Sequence, residues 1–247
     1  MMISKTPREV ALWSGLLALL LFPLHVRGYE EVAVTNGGTI RGFVRVQGRL
    51  PESPPPKILK FKKICENVSN ERLVVGPDRG VRYAVVVLEG ITKGKPVERE
   101  VVNELDNVNC RFVPHVQAAS VGQWLVIKNS DPILHAAHAF FEDGQPQFNV
   151  GLFPGKVRRK PLIGPGIVKV LCEVHPWMKA FVFVTEHPYH GVTDIFGEYE
   201  IRDVPQGSYL LKVWHETLGT QEKQVEVKSG TVSEVEFILS LSQAVKK

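Results

Sequence analysis

Sulfur is scarce in this chain of 247 residues, which has three cysteines and three methionines. Met1 and Met2 stand at its head, so Met178 is the one methionine left for the interior. A lone methionine, three residues beyond a histidine, is hard to read as generic core filler. The cysteines are Cys65, Cys110 and Cys172, an odd count that needs an explanation in an exported chain. No cysteine precedes Cys65, which excludes a lipid-anchored N-terminus at a cut near residue 28. Also missing are a covalent haem motif (Cys-x2-Cys-His), a phosphate loop and a Ser/His/Asp signature. Past residue 28 no stretch has a capped 3.6-residue period, so helices are not expected to build the fold.

Charge is nearly balanced. Lys5 and Arg8 precede an apolar run over residues 10–24, broken only by Ser14 and Pro23, and Val26 and Gly28 then put apolar and small residues at the positions a signal peptidase reads. The pattern predicts a cleavable secretory signal over residues 1–28 and export, most simply to a bacterial periplasm. A membrane association is expected only if that segment stays uncleaved. Cleavage removes Lys5, Arg8, Arg27 and Glu9, so the formal charge falls from +4 to +2. That leaves no electrostatic case for nucleic acid, which is held by clustered Lys and Arg. The basic cluster over residues 156–160 reads as a solvated turn, and the Asn67 sequon as chance.

Strand signals fill the rest. Residues 39–46 alternate, with Ile40, Val44 and Val46 on one face and Arg41 and Arg45 on the other. The proline-rich stretch 50–57 can be neither helix nor central strand, and residues 58–80 carry no clear period. Apolar runs at 83–88, 124–128, 167–171 and 181–184 read as strands between Gly and Pro turns. The predicted fold class is all-β, built as β-sandwiches.

The chemistry concentrates in residues 172–178, which hold Cys172, His175 and Met178 at three-residue intervals directly after the apolar run 167–171. A thiolate, an imidazole and a weak thioether make most of a mononuclear copper electron-transfer set, which needs one more imidazole. His135, beyond the turn cluster 129–132, is the candidate. Zinc is the chemical rival, but a structural zinc site wants four strong ligands and a thioether serves it poorly. If Cys172 is held by metal, Cys65 and Cys110 are left to pair as a disulfide; the alternative is a buried free thiol.

Residues 111–186 resemble a cupredoxin of the amicyanin/plastocyanin-like kind. The likeness is carried by Asn-x5-His-x2-His at Asn129, His135 and His138, and by Cys-x2-His-Pro-aromatic-Met from Cys172 to Met178. The resemblance implies a Greek-key sandwich over about 105–188 holding one type 1 copper ion. His135 and His175 would be its imidazole ligands, Cys172 its thiolate and Met178 its weak axial ligand, with Asn129 bracing the ligand loops. It also implies a solvent-facing edge on His175, beside an apolar docking patch at Pro176 and Trp177. His138 is expected to pack or hydrogen-bond. His115 reads as a strand or turn residue, with a second metal site as the alternative; His187 and His190 read as linker, and His215 as a strand end.

The tail is similar to the carboxypeptidase-regulatory, transthyretin-like sandwich, through Thr-Asp-x-x-Gly-x-Tyr-x-Ile at 193–201 and Pro-x-Gly-x-Tyr at 205–209. Its opening strands have counterparts at 38–44 and 84–88. The expected organisation is one immunoglobulin- or transthyretin-like sandwich split into residues 36–104 and 189–242, with the copper-type domain inserted. The rival arrangement gives residues 30–188 to one enlarged copper domain and appends the tail. The expected function is one-electron transfer between redox proteins, such as a c-type cytochrome and a dehydrogenase, with no small-molecule substrate. The alternatives are a copper chaperone module or a copper-bearing subunit of a larger complex. Catalysis is not expected, because Leu171 and Glu173 flank Cys172 where a multicopper enzyme would place histidines wired to a second site.

Overall fold

A computed structural model describes residues 28–58, 60–66 and 68–241. The expected secretory segment, apart from Gly28, and Asn67 of the sequon lie outside these residues. The fold is all-β, as the patterning predicts. Among the described residues the helical pieces are one turn at Lys62–Cys65 and a 3-10 turn at Pro77–Arg79. None of the described helices is long and apolar enough to cross a membrane.

The strands form two sandwiches. In the first, a five-stranded sheet runs in the order Pro146–Leu152, His135–Phe141, Gly166–Leu171, Lys179–Thr185, Val116–Ser120. It faces a four-stranded sheet ordered Val157–Pro161, Trp124–Asn129, Val102–Val108, Arg111–Val113. Leu105, Ile127, Ala137, Val168, Val170 and Val182 fill the space between them, with Cys172 and Met178 in the same cluster.

In the second sandwich the sheets are drawn from both ends of the chain. Val85–Glu89 lies between His190–Val192 and Gly207–His215, and Gly219–Val227 completes that sheet. Gly38–Val46 pairs with Glu198–Val204 on one side and with Val232–Glu234 and Phe237–Leu239 on the other. Ile40 stands opposite Ile201, and Val87 opposite His190. The alternation of residues 39–46 now has its cause: Ile40, Val44 and Val46 enter the core while Arg41 stays in solvent. Gly42 lies so close to a neighbouring segment that a Cβ would meet the Val235 carbonyl oxygen at 1.9 Å.

Two apolar runs are continuous because both of their faces are covered. Val86 and Leu88 point into the second sandwich, while Val85 and Val87, beside Trp214 of the same sheet, meet Val116, Phe181 and Phe183 across the joint between the sandwiches. On the other side of that joint, Ala180, Val182 and Val184 point into the first sandwich. Polar-apolar alternation marks a strand with one wet face, and neither run has one.

Three stretches differ from their sequence reading. Residues 156–160 form no free turn, because Val157–Pro161 is an edge strand paired with Trp124–Asn129, and the Arg159 guanidinium lies 4.9 Å from the Trp124 ring centre. His187 and His190 are not linker. His187 is buried and His190 sits in a strand, because the fully buried Tyr189 anchors this crossing by hydrogen bonds with the Lys95 amide and the Asp203 carbonyl. Within the span 36–104, residues 102–104 open a strand of the first sandwich, and Ile58, Ile64, Cys65 and Val68 pack on the first sandwich's core. Cys65 is joined there to Cys110 by a disulfide, so the connection after the proline-rich stretch becomes a strap across the end of the first sandwich.

Candidate metal centre

The strap crosses the end at which the sequence-predicted donors gather. His135 is the first residue of its strand and pairs with Leu152. Cys172 follows the neighbouring strand, Gly166–Leu171, and opens a loop closed by two backbone hydrogen bonds: Cys172 N–H to the Met178 carbonyl at 3.2 Å and Met178 N–H to the His175 carbonyl at 2.9 Å. That short closure turns His175 back over Cys172.

The Nδ1 atoms of His135 and His175 lie 3.0 Å apart, and Cys172 Sγ is 3.8 Å from the first and 3.7 Å from the second. Nitrogen and sulfur donors at about 2.0 and 2.3 Å from one ion, spread trigonally, would stand about 3.5 Å (N to N) and about 3.7 Å (N to S) apart. The three donors therefore fit a single ion at their centre, and the residues present suit copper. Met178 is 2% exposed and belongs to the same buried cluster as Cys172.

The surroundings fix these donors. Asp131 is buried, and its carboxylate accepts from the amides of Asn109 (2.7 Å) and Cys110 (2.8 Å) and faces His135 Nε2 at 2.9 Å. A carboxylate at Nε2 holds the proton there and leaves the Nδ1 lone pair directed at Cys172 and His175. Asn129 braces the turn that presents His135, donating to the Ile133 and Leu152 carbonyls at 2.8 Å and accepting from Asp131 N–H at 3.1 Å. The Ala136 amide donates to Cys172 Sγ at 3.4 Å, a contact that favours a thiolate. Burial pushes the His135 ring below its ordinary pKa, against the pull of Asp131, and pushes His175 down to about 4, with His135 adding to the effect. Both rings are thus neutral near pH 7, the form that binds a metal.

His175 is the clearest departure from expectation. It has no solvent-facing edge and is 0% exposed. Phe61 of the strap meets it edge-on with ring centres 5.7 Å apart, and Trp177 covers another side at 5.2 Å. The indole N–H of Trp177 donates to the Cys110 carbonyl at 3.1 Å, so the disulfide-linked strap and the ligand loop brace each other. His175 Nε2 is left buried without a hydrogen-bond partner.

The other histidines among the described residues lie apart from this cluster. His138 Nδ1 faces Glu173 at 2.8 Å, a hydrogen-bonding role on the flank. Cys65 and Cys110 come near His175, but their sulfurs are spent on each other. His115 belongs to no three-donor group among the described residues, and its ring bonds instead to Glu216 and to the Lys179 carbonyl. His215 closes its strand as expected, its Nδ1 accepting from the amides of Thr217 and Leu218. Sequence reasoning missed Asp131, Phe61 and Glu216. Only Asp131 had a local signal, four residues before His135 in the turn cluster.

No protein-family model matches the chain, and no curated protein matches it. Among solved structures, the chain is similar to a copper-containing nitrite reductase from Thermus scotoductus SA-01, at 24% identity and a TM-score of 0.33, over 35% of this chain and 23% of that one. It is also similar to a purple cupredoxin from Nitrosopumilus maritimus, at 22% identity and a TM-score of 0.31, over 34% of this chain and 99% of that one. A reduced amicyanin mutant matches at 16% identity and a TM-score of 0.32, over 35% of this chain and 87% of that one. The chain therefore spans less than a quarter of the nitrite reductase, and each likeness covers about a third of this chain.

Proposed function

We propose that the protein is an exported type 1 copper protein that carries single electrons between redox partners. One copper ion would be held by His135, Cys172 and His175, with Met178 as the weak axial ligand. The observation that carries this reading is the convergence of two imidazole nitrogens and one thiol sulfur at single-ion distances, with Asp131 fixing the tautomer of His135. Two imidazoles and a thiolate accept either copper oxidation state with little rearrangement, which is what copper supplies to electron transfer. The protein's part is to hold the donors still: Asn129 and Asp131 fix one ring, and the two loop hydrogen bonds fix the other ligands.

Partners would be proteins of the c-type cytochrome or dehydrogenase kind, with no small-molecule substrate, met in the bacterial periplasm. Exposed apolar side chains border the donors: Leu134 and Val174 stand beside them in sequence, Phe153 follows the strand partner of His135, and Phe61 meets the His175 ring. Such a patch suits brief, weak encounters. The second sandwich, read as transthyretin-like, would stabilise or dock the carrier. A second reading, a copper-bearing subunit of a larger complex, has the complete burial of His175 in its favour, since a freely diffusing carrier gains from an open ring edge.

The test is a visible spectrum of the purified protein after addition of Cu(II), beside Cys172→Ala. An intense thiolate-to-copper charge-transfer band, absent in the variant, supports the type 1 site. Binding without that band moves a copper-handling role ahead, and failure to bind copper sinks the proposal.

A further inference from the structure

The joint between the two sandwiches is mostly apolar, built from Val85, Val87, Phe181, Phe183 and Trp214. At the end nearest the ligand loop it changes character. Glu216 of the second sandwich, with its side chain 5% exposed, reaches across to the first and bonds both His115 Nε2 and Lys179 Nζ. His115 Nδ1 in turn donates to the Lys179 carbonyl at 2.9 Å, and the His115 carbonyl accepts from the Phe181 amide at 2.9 Å. Glu216 itself is presented rigidly, because His215 Nδ1 accepts from both Thr217 N–H (3.1 Å) and Leu218 N–H (3.2 Å), and Thr217 Oγ1 donates to the Arg72 carbonyl at 2.6 Å. Burial would raise the Glu216 carboxyl, but the hydrogen bonds and charges of His115 and Lys179 overcome that and hold it below the ordinary carboxylate range.

Lys179 is the residue next to Met178. Its side chain and its carbonyl are both gripped by this network, while Met178 N–H and C=O close the ligand loop. A buried charge network is not needed for the stability of such a joint, since well-packed apolar residues of similar volume often serve as well or better. Its position at the end of the ligand loop points to a different use.

We propose that Glu216 is a positioning residue for Met178, acting through His115 and Lys179, so that the second sandwich sets where the thioether sits relative to His135, Cys172 and His175. This rests on the copper reading for its consequence, though not for its geometry.

Met178 is the only methionine outside the first two residues, so methyl-labelled methionine gives a readily isolated resonance, assigned with Met178→Leu. Spectra are compared for the wild type, Glu216→Gln and Leu239→Ala, metal-free and loaded with Cu(I). Leu239 lies fully buried in the second sandwich's core, so its truncation lowers stability without touching the network. Glu216→Gln is expected to move the Met178 methyl resonance by more than a linewidth in both forms, and to alter the intensity ratio of the charge-transfer bands of the Cu(II) protein. Leu239→Ala is expected to leave both where they are. An unmoved resonance in metal-free Glu216→Gln overturns the proposal, and so does an equal movement in Leu239→Ala. If the wild type shows no charge-transfer band, the copper reading falls alone, because the metal-free comparison still reports whether Glu216 places Met178.

Discussion

Mild acid should destabilise this protein well before its carboxylates begin to titrate. His187, His190 and His215 are each pushed from 6.5 down to about 4, mainly by burial. The charge of His187 adds to the effect on His190, while Glu89 and Glu216 pull weakly the other way at His187 and His215. Above pH 6.5 these rings are neutral in folded and unfolded chains alike, and proton binding does not bias folding. Between 6.5 and 4 the unfolded chain binds protons that the folded protein refuses, so stability falls as pH falls. Below about 4 both states are protonated and the loss levels off. A shift of about 2.5 units at about 1.4 kcal/mol per unit is roughly 3 kcal/mol for each ring. Together they approach 10 kcal/mol as an upper bound, comparable to the roughly 5–15 kcal/mol stability of a typical domain. Urea unfolding of the metal-free protein, followed from pH 7.5 to pH 4.5, should show stability dropping by as much as about 5 kcal/mol per pH unit where these three and His175, lowered to about 4 as well, all differ in protonation. His187→Gln should reduce that slope by about a quarter. Stability that is flat across this window would refute the reasoning, and so would a His187→Gln slope equal to that of the wild type.

Further outcomes follow from the site and its strap. Phe61→Ala uncovers His175, so stopped-flow reduction of the Cu(II) protein by ascorbate should speed up several-fold; an unchanged rate would mean the ring does not gate access. Replacing Cys65 and Cys110 together by serine frees a crosslink with a sequence separation of 45, and loop entropy predicts a loss of about 4 kcal/mol, read as a lower denaturation midpoint. Asn129→Ala strands the buried carbonyl of Leu152 and the part-buried one of Ile133, costing about 2–4 kcal/mol in urea unfolding and weakening Cu(II) affinity through the loosened His135.

Much of this protein is written in short-range sequence. Alternation at residues 39–46 gave a strand and its buried face, and the Cys172–His175–Met178 spacing gave a donor loop, because side chains a few residues apart are tied by the covalent chain itself. Asp131 was within the same reach, yet its role depends on which ring nitrogen of His135 turns towards it, and no spacing states that. The basic run at 156–160 and the His-Pro-Tyr-His crossing at 187–190 misled for a related reason. Composition reports how a segment would behave in water, whereas an edge pairing with Trp124–Asn129 and the burial of Tyr189 belong to the assembled fold.

The sequence alone determined the all-β class, the identity of the candidate donors and the presence of two strand-rich units. Only the tertiary structure decided what closes the site and what joins the units. Phe61 over His175, and Glu216 gripping His115 and Lys179, are contacts between residues far apart in the chain. Nothing local distinguishes a Phe in an irregular strap, or a Glu after a strand, from any other. They acquire their roles only when a disulfide and an apolar joint bring distant surfaces together and remove them from water.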